Sequence, residues 1–285
     1  MNTILVPTDF SACAENAVNF AVQSAKLLPL QVTLLHTFEV TENTYTDYLG
    51  VNKEFNQTLL HEMSHELARV KTVIKETEAV DVETYLATST LKESILQVTA
   101  EKHVDFIVMG TSGASGIKEK LWGSRTADII GKSRIPVIAI PVDYKWKKPQ
   151  KILLSTNHFE TEPAMMDSLF KLAALYNAQV EVAIFTSEEE DDAEVMLDHS
   201  IQIKAYKSKL AEHYKTATLS VSHISGKAFE ETLQQFIKAN HVDMLAMVTY
   251  KRKFPDNLFH PSITKKMAYH TKVPLLAIPA NKVAG

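Results

Sequence analysis

The chain carries one unit twice, and that repetition restricts its possible folds more than any other feature. His103-Val104-Asp105 recurs as His241-Val242-Asp243, and Ile135-Pro136-Val137 recurs as Val273-Pro274-Leu275. Pro136 follows His103 at the same interval at which Pro274 follows His241. Ile140-Pro141 matches Ile278-Pro279, and Ile4-Leu5-Val6-Pro7-Thr8-Asp9 is echoed by Ile152-Leu153-Leu154-Ser155-Thr156-Asn157. Half of a 285-residue chain is long enough to bury its own core, so each copy can be a domain. The repeat predicts a first domain over 1–142, a linker over 143–150 (DYKWKKPQ) and a second domain over 151–285.

Within a copy, short apolar runs alternate with helical patterns. Thr3-Ile4-Leu5-Val6-Pro7 reads as a buried strand running into Thr8-Asp9-Phe10-Ser11, where Ser11 can cap a helix. Ala14, Ala17, Val18, Ala21, Val22 and Ala25 then keep the spacing of one helical face, and Pro29 stops it. Further strands are expected at 32–36, 80–87, 104–109 and 135–140, and helices at 52–75, 91–101 and 123–132. Apolar strands alternating with amphipathic helices specify the α/β class: two tandem open parallel five-stranded sheets with helices on both faces, Rossmann-like. The acidic run from Glu188 to Asp192 reads as a solvated loop before the long helix of the second copy.

Composition narrows the function classes. A 45% hydrophobic, 22% charged chain is that of a soluble globular protein, and a net charge of −4 argues against a nucleic-acid partner. No run of eighteen apolar residues could span a membrane, and no secretory signal precedes the first strand. The single cysteine, Cys13, excludes an internal disulfide and fits a reducing compartment, so a cytoplasmic location is expected.

The glycines are concentrated. Of eight in the chain, four (Gly110, Gly113, Gly116 and Gly123) fall in 109–124, MGTSGASGIKEKLWGS. Such a loop, leaving a strand and entering a helix, offers bare backbone N–H groups and a helix N-terminus to an anion, with phosphate the natural candidate. Gly110-x2-Gly113-x9-Gly123-Ser124 resembles the nucleotide signature of the universal stress protein family. The resemblance extends to Val6-Pro7-Thr8-Asp9, Leu35-His36 and Ile135-Pro136-Val137, and covers the whole chain as a tandem pair. It implies an adenine-nucleotide alpha-hydrolase-like fold and a stress-response protein that binds ATP, with Mg²⁺ accompanying the triphosphate. By that resemblance Pro7, Thr8 and Asp9 lie at the adenine and ribose end, and Thr37 offers backbone contacts to the base. Gly110 packs against the ribose, and its neighbours Met109 and Thr111 count among the nucleotide-binding residues. Gly113, Gly123 and Ser124 hold the phosphates, with Arg125 and Thr126 opening the helix beside them. It also implies pairing through the last strands, here within one chain, and a homodimer of such chains.

The second copy departs from this pattern. Aligned on the His-Val-Asp triplet, Gly110 becomes Val248, Gly113 becomes Lys251 and Gly123 becomes Pro261, while Ser124 persists as Ser262. Asp9 becomes Asn157. Bulky side chains where backbone must touch phosphate predict one nucleotide site, in the first copy, and a degenerate partner. No general base or water-positioning residue is recognisable, so a regulatory switch with at most slow hydrolysis is expected rather than an enzyme.

Other signals compete. His61-Glu62-Met63-Ser64-His65 fits the H-E-x-x-H zinc pattern, which would make a zinc-binding protein or zinc hydrolase. Both histidines lie off the apolar stripe Phe55, Leu59, Met63, Leu67 and Val70, so they are expected to face water without a metal. Ser225-Gly226-Lys227 has the tail of a P-loop without its first glycine and reads as a turn before a helix. Cys13, His36 and His241 are expected to be structural. A scaffold that binds nothing is the third alternative.

Overall fold

A computed structural model describes residues 2–38, 51–111, 124–156, 159, 163–188, 193–215, 219–250, 267 and 271–280. The chain divides into two compact units, Met1–Arg125 and Thr126–Gly285.

The first unit runs β1 (Asn2–Pro7), α1 (Ala12–Leu27), β2 (Leu30–Thr37), α2 (Val51–Glu78), β3 (Val82–Ala87), α3 (Leu91–Glu101) and β4 (Phe106–Gly110). The strands stand in the order β3-β2-β1-β4, all parallel, with Ile4 beside Phe106 and Val6 beside Leu34. The chain moves outward from β1 to β3 and returns to the other flank of β1 for β4. That reversal makes a crevice at the carboxyl ends of β1 and β4, the place where open α/β sheets take ligands.

Local signals explain the elements. Ser11 Oγ accepts from Ala14 N–H at the start of α1, and Leu28 turns to extended backbone just before Pro29. Thr90 and Glu93 form a capping box that starts α3, each side chain accepting from the other's backbone N–H at 3.3 Å. Apolar residues of β1, β2 and β4 are almost wholly buried, as two-sided helix cover requires: Leu5, Leu34 and Ile107 are all 0% exposed.

The second unit contains most of α4 (Ser124–Lys132), then β5 (Val137–Ile140), β6 (Lys151–Thr156), a 3-10 turn (Pro163–Met166) and α5 (Asp167–Tyr176). It continues through β7 (Gln179–Ser187), α6 (Ala193–Tyr214), β8 (Leu219–Gly226), α7 (Phe229–Ala239), β9 (Met244–Thr249) and β10 (Leu275–Pro279). Its strands stand in the order β8-β7-β6-β9-β10-β5. All these neighbours are parallel except β10 and β5, which pair antiparallel with Leu276 opposite Ile138. Each sequence copy thus supplies five strands, and the last strand of the first copy pairs with the last strand of the second.

The repeated His-Val-Asp triplet has a mechanical role. Asp105 N–H donates to Thr3 O at 2.9 Å, and Asp105 Oδ2 accepts from Thr3 N–H at 2.7 Å. In the second copy Asp243 N–H donates to Lys151 O at 2.9 Å, and its Oδ2 accepts from the N–H groups of Gln150 and Lys151 at 2.9 and 3.0 Å. Each aspartate therefore clamps the start of its central strand, at Thr3 in β1 and at Gln150 and Lys151 where β6 begins. Burial works against the Asp243 carboxylate, but the bonds from Lys147 and the two backbone N–H groups prevail and hold its pKa below the usual value. The 143–150 segment is pinned at the same place: Tyr144 is buried, its hydroxyl donates to Lys147 O at 3.2 Å, and burial pushes its pKa up to about 12.

Some expectations shift in detail. Phe55, placed on the apolar stripe, is 58% exposed; among the described side chains of α2, Leu67 and Ile74 are the buried ones. Strand β5 starts at Val137 rather than 135, because Pro136 has no N–H to give a ladder. Ser225 and Gly226 are the last residues of β8, and Lys227-Ala228 makes the turn into α7. The acidic run begins with Glu188 in a turn, and 189–192 lie outside the described residues.

Candidate nucleotide site

The crevice at the carboxyl ends of the first unit's strands gathers several of the residues singled out above. Pro7 closes β1, and Thr8 N–H extends the pairing by donating to Leu35 O at 2.8 Å. Thr8 Oγ1 accepts from Phe10 N–H at 3.1 Å, while Asp9 Oδ1 accepts from Ser11 N–H at 3.1 Å and from Ser11 Oγ–H at 2.6 Å. The Asp9 carboxylate thus holds the turn that starts α1, and it stays half-buried at the crevice. Between them Phe10 adopts φ 59°, a left-handed backbone that a bulky residue takes only under constraint.

His36, which the residue pattern alone gave a structural role, supplies that constraint. It is 7% exposed at the end of β2, and its Nδ1 lies 2.8 Å from Thr8 O. A carbonyl only accepts, so Nδ1 carries the proton. The imidazole also stacks on Phe10, with centroids 4.5 Å apart and planes 28° from parallel. The β1–α1 turn is therefore locked from β2. Sequence patterning does not reveal this, because a positive φ at phenylalanine has no local signature.

On the other flank, Met109 and Thr111 are each 5% exposed and Gly110 is half-buried at the end of β4. A Cβ on Gly110 would lie 2.4 Å from Cys13 O and 2.6 Å from Cys13 Sγ. Only glycine lets β4 press this closely on the first turn of α1, so the first glycine of the pattern has a packing cause. Cys13 is correspondingly a buried packing residue, 4% exposed. Thr37, the last residue of β2, is half-buried. Gly113 and Gly123, like Gly116, lie outside the described residues. Ser124 is the first residue of α4, although its side chain is likewise undescribed. Arg125 is exposed, whereas Thr126, first residue of the second unit, is 3% exposed.

In the second unit Ser155 and Thr156 occupy the positions of Pro7 and Thr8, and Val248 that of Gly110. Val248 is 1% exposed. Glu160 aligns with Ala12, yet α5 starts only at Asp167 after the 3-10 turn. The residues aligned with Asp9, Gly113 and Gly123, and the basic run Lys251-Arg252-Lys253, lie outside the described residues.

His61 and His65 are exposed on α2 with rings edge to face, centroids 4.4 Å apart. Among the described residues no group of three His, Cys, Asp or Glu side chains is disposed to hold a metal. His241 occupies an exposed turn with φ 51°. Among the described residues no helix is long and apolar enough to cross a membrane.

Comparison with known proteins agrees with this architecture. The sequence pattern of the "Universal stress protein family" matches residues 1–141 and again 149–279. Universal stress protein MJ0577 of Methanocaldococcus jannaschii is 32% identical over 150 residues, covering 48% of this chain and 93% of its own. Universal stress protein YxiE of Bacillus subtilis is 30% identical over 145 residues, covering 49% and 98%. The crystal structure of a universal stress protein from Archaeoglobus fulgidus superposes with a TM-score of 0.67 over 98% of this chain and 99% of that one, at 15% identity, and so supports the fold alone. With two matches that together span nearly its whole length, the chain belongs to the universal stress protein family.

Proposed function

We propose that this stress-response protein binds ATP in its first copy and uses occupancy as a regulatory switch. The observation that carries the proposal is the convergence of Thr8-Asp9 and Gly110-Thr111 on the crevice where the strand order reverses, at the mouth of the glycine-rich loop. The bare Gly110 backbone and the half-buried Asp9 suit the ribose and base. Thr37 flanks them on the next strand, and Pro7 and Met109 form the apolar shoulders. The phosphates fall to Gly113, Gly123 and Ser124, with Arg125 and Thr126 at the opening of α4, where helix N-terminal N–H groups favour an anion. Mg²⁺ would come with the triphosphate.

Asp9 Oδ1 is engaged by Ser11, which suits a carboxylate that positions the β1–α1 turn. The proposed role is a switch: binding would order one conformation of the loop and bias a surface that a partner reads. A cytoplasmic location and a homodimer complete the proposal. The test is titration of wild type and Gly113→Lys with ATP. The substitution copies the residue of the second copy, and at least about a tenfold loss of affinity is expected with unchanged unfolding behaviour. Unchanged affinity would remove the loop from the site.

A further inference from the structure

A second concavity lies between α1 and α2, with a volume of about 340 Å³. Its apolar lining includes Val18, Val22, Val70 and Ile74, and it reaches the β1–α1 turn at Thr8 and Phe10. A gap of this size between two helices would ordinarily be closed by larger side chains, because protein interiors pack near crystal density. The second copy shows that closure. Helix α2 ends at Glu78 and α6 at Tyr214, each followed by a left-handed residue, Ala79 at φ 57° and Lys215 at φ 48°. Counting back from these ends matches Val70 with Tyr206. Matching β2 with β7 on Gln31 and Gln179 aligns Val18 with Met166 and Val22 with Phe170.

Those counterparts fill the space with one another. Tyr214, at the position of Glu78, stacks on Phe170 with centroids 3.7 Å apart and planes 13° from parallel. Its hydroxyl bonds Asp167 Oδ1 at 3.0 Å, and burial with that carboxylate pushes the phenol pKa up. Tyr206 places its hydroxyl 3.8 Å from Met166 Sδ and meets Phe159 edge to face. One copy thus carries aromatic rings where the other carries valines and a glutamate around an open groove.

The charge around the open groove is specific. Glu66 pairs with Arg69, Nε to Oε2 at 2.9 Å, and Glu78 pairs with Lys26 at 3.0 Å. Glu15 lines the groove, its side chain makes no hydrogen bond or salt bridge among the described residues, and it feels Arg69 through space. Three carboxylates (Glu15, Glu66 and Glu78) thus share two cations (Arg69 and Lys26), so one negative charge is in excess beside an apolar floor.

We infer that the α1–α2 groove is a second ligand site, for a small organic monocation with an apolar body, such as a protonated arylalkylamine. Its volume falls in the range of small-molecule pockets, its floor offers aliphatic contact and Glu15 offers the counter-charge. The groove shares Thr8 with the crevice, but Val18, Val22, Val70 and Glu15, which carry the inference, have no part in the nucleotide proposal.

Calorimetric titration with three probes of one shape tests it: tryptamine (cation), tryptophol (neutral) and indole-3-propionate (anion). Tryptamine should bind about fivefold or more tightly than tryptophol, the size of one partly exposed ion pair, with the anion weakest. Glu15→Gln should erase the preference for tryptamine while leaving tryptophol affinity unchanged. Val22→Phe, which imports the ring of the second copy, should abolish binding of all three. Should that variant not fold, the Glu15→Gln result decides alone. Absence of saturable tryptamine binding, equal affinity for cation and anion, or an unaltered preference in Glu15→Gln would each overturn the inference.

Discussion

The two copies answer the same packing problem in opposite ways, most visibly at the end of the fourth strand and between the first two helices. Where the first copy has Gly110 against the opening turn of α1, the second has the buried Val248 and a helix that starts late, at Asp167. Where the first leaves a groove bounded by Val18, Val22 and Val70, the second packs Met166, Phe170 and Tyr206. What both retain is the aspartate clamp on the central strand, Asp105 and Asp243. The shared features are those that build the sheet, and the divergent ones lie at the end of the fourth strand and between the first two helices.

The comparison can be broken experimentally, beginning with the filled helix interface. Phe170→Ala removes a ring that is 8% exposed and stacked on Tyr214, and should cost about 4 kcal/mol in urea unfolding. A loss below about 1 kcal/mol would show that the aromatic cluster is not load-carrying packing. Gly110→Val, which imports the residue of the second copy, drives a side chain into Cys13 O and should cost about 3 kcal/mol. If the variant is as stable as wild type, the close approach of β4 to α1 is wrong.

The shared clamp gives a finer comparison. Asp243→Asn should destabilise by about 2 kcal/mol and Asp105→Asn by about 1 kcal/mol, since Asp243 takes two backbone N–H groups and Lys147. The pH dependence follows from the direction of the shift. A carboxyl held lower in the folded than in the unfolded chain contributes stability above about pH 4 that is lost as pH falls through its folded value. Asp243→Asn should therefore flatten the acid limb of the stability profile, and an unchanged limb would count against the clamp. Smallest of all, Ser11→Ala should cost about 1 kcal/mol through the lost α1 cap, as thermal unfolding would register.

How much of this was legible in the chain depends on how local each cause is. Helix α3 falls at 91–101 as expected, because a capping box and an apolar face lie within eleven residues. The doubling was legible because its anchors, the aspartate clamps, are residues that each copy must keep. Phe55 was misplaced because apolar spacing at the start of a helix says nothing about whether a partner surface is there. Gly110 was legible as special but not for its reason, which lies in a carbonyl nearly a hundred positions earlier in the chain. The lock on Phe10 by His36 and the groove between α1 and α2 depend on contacts that periodicity cannot carry.

The antiparallel meeting of β5 with β10 brings together strands that one ribosome makes in a single pass. Were the same junction formed by two identical chains, every substitution would occur on both sides of it at once, and a ring filling one cleft would fill its mate. Fusion lifts that symmetry. One half can lose its cleft to aromatic packing while the other keeps an opening, and the joint between them survives at any dilution because its partners share a backbone.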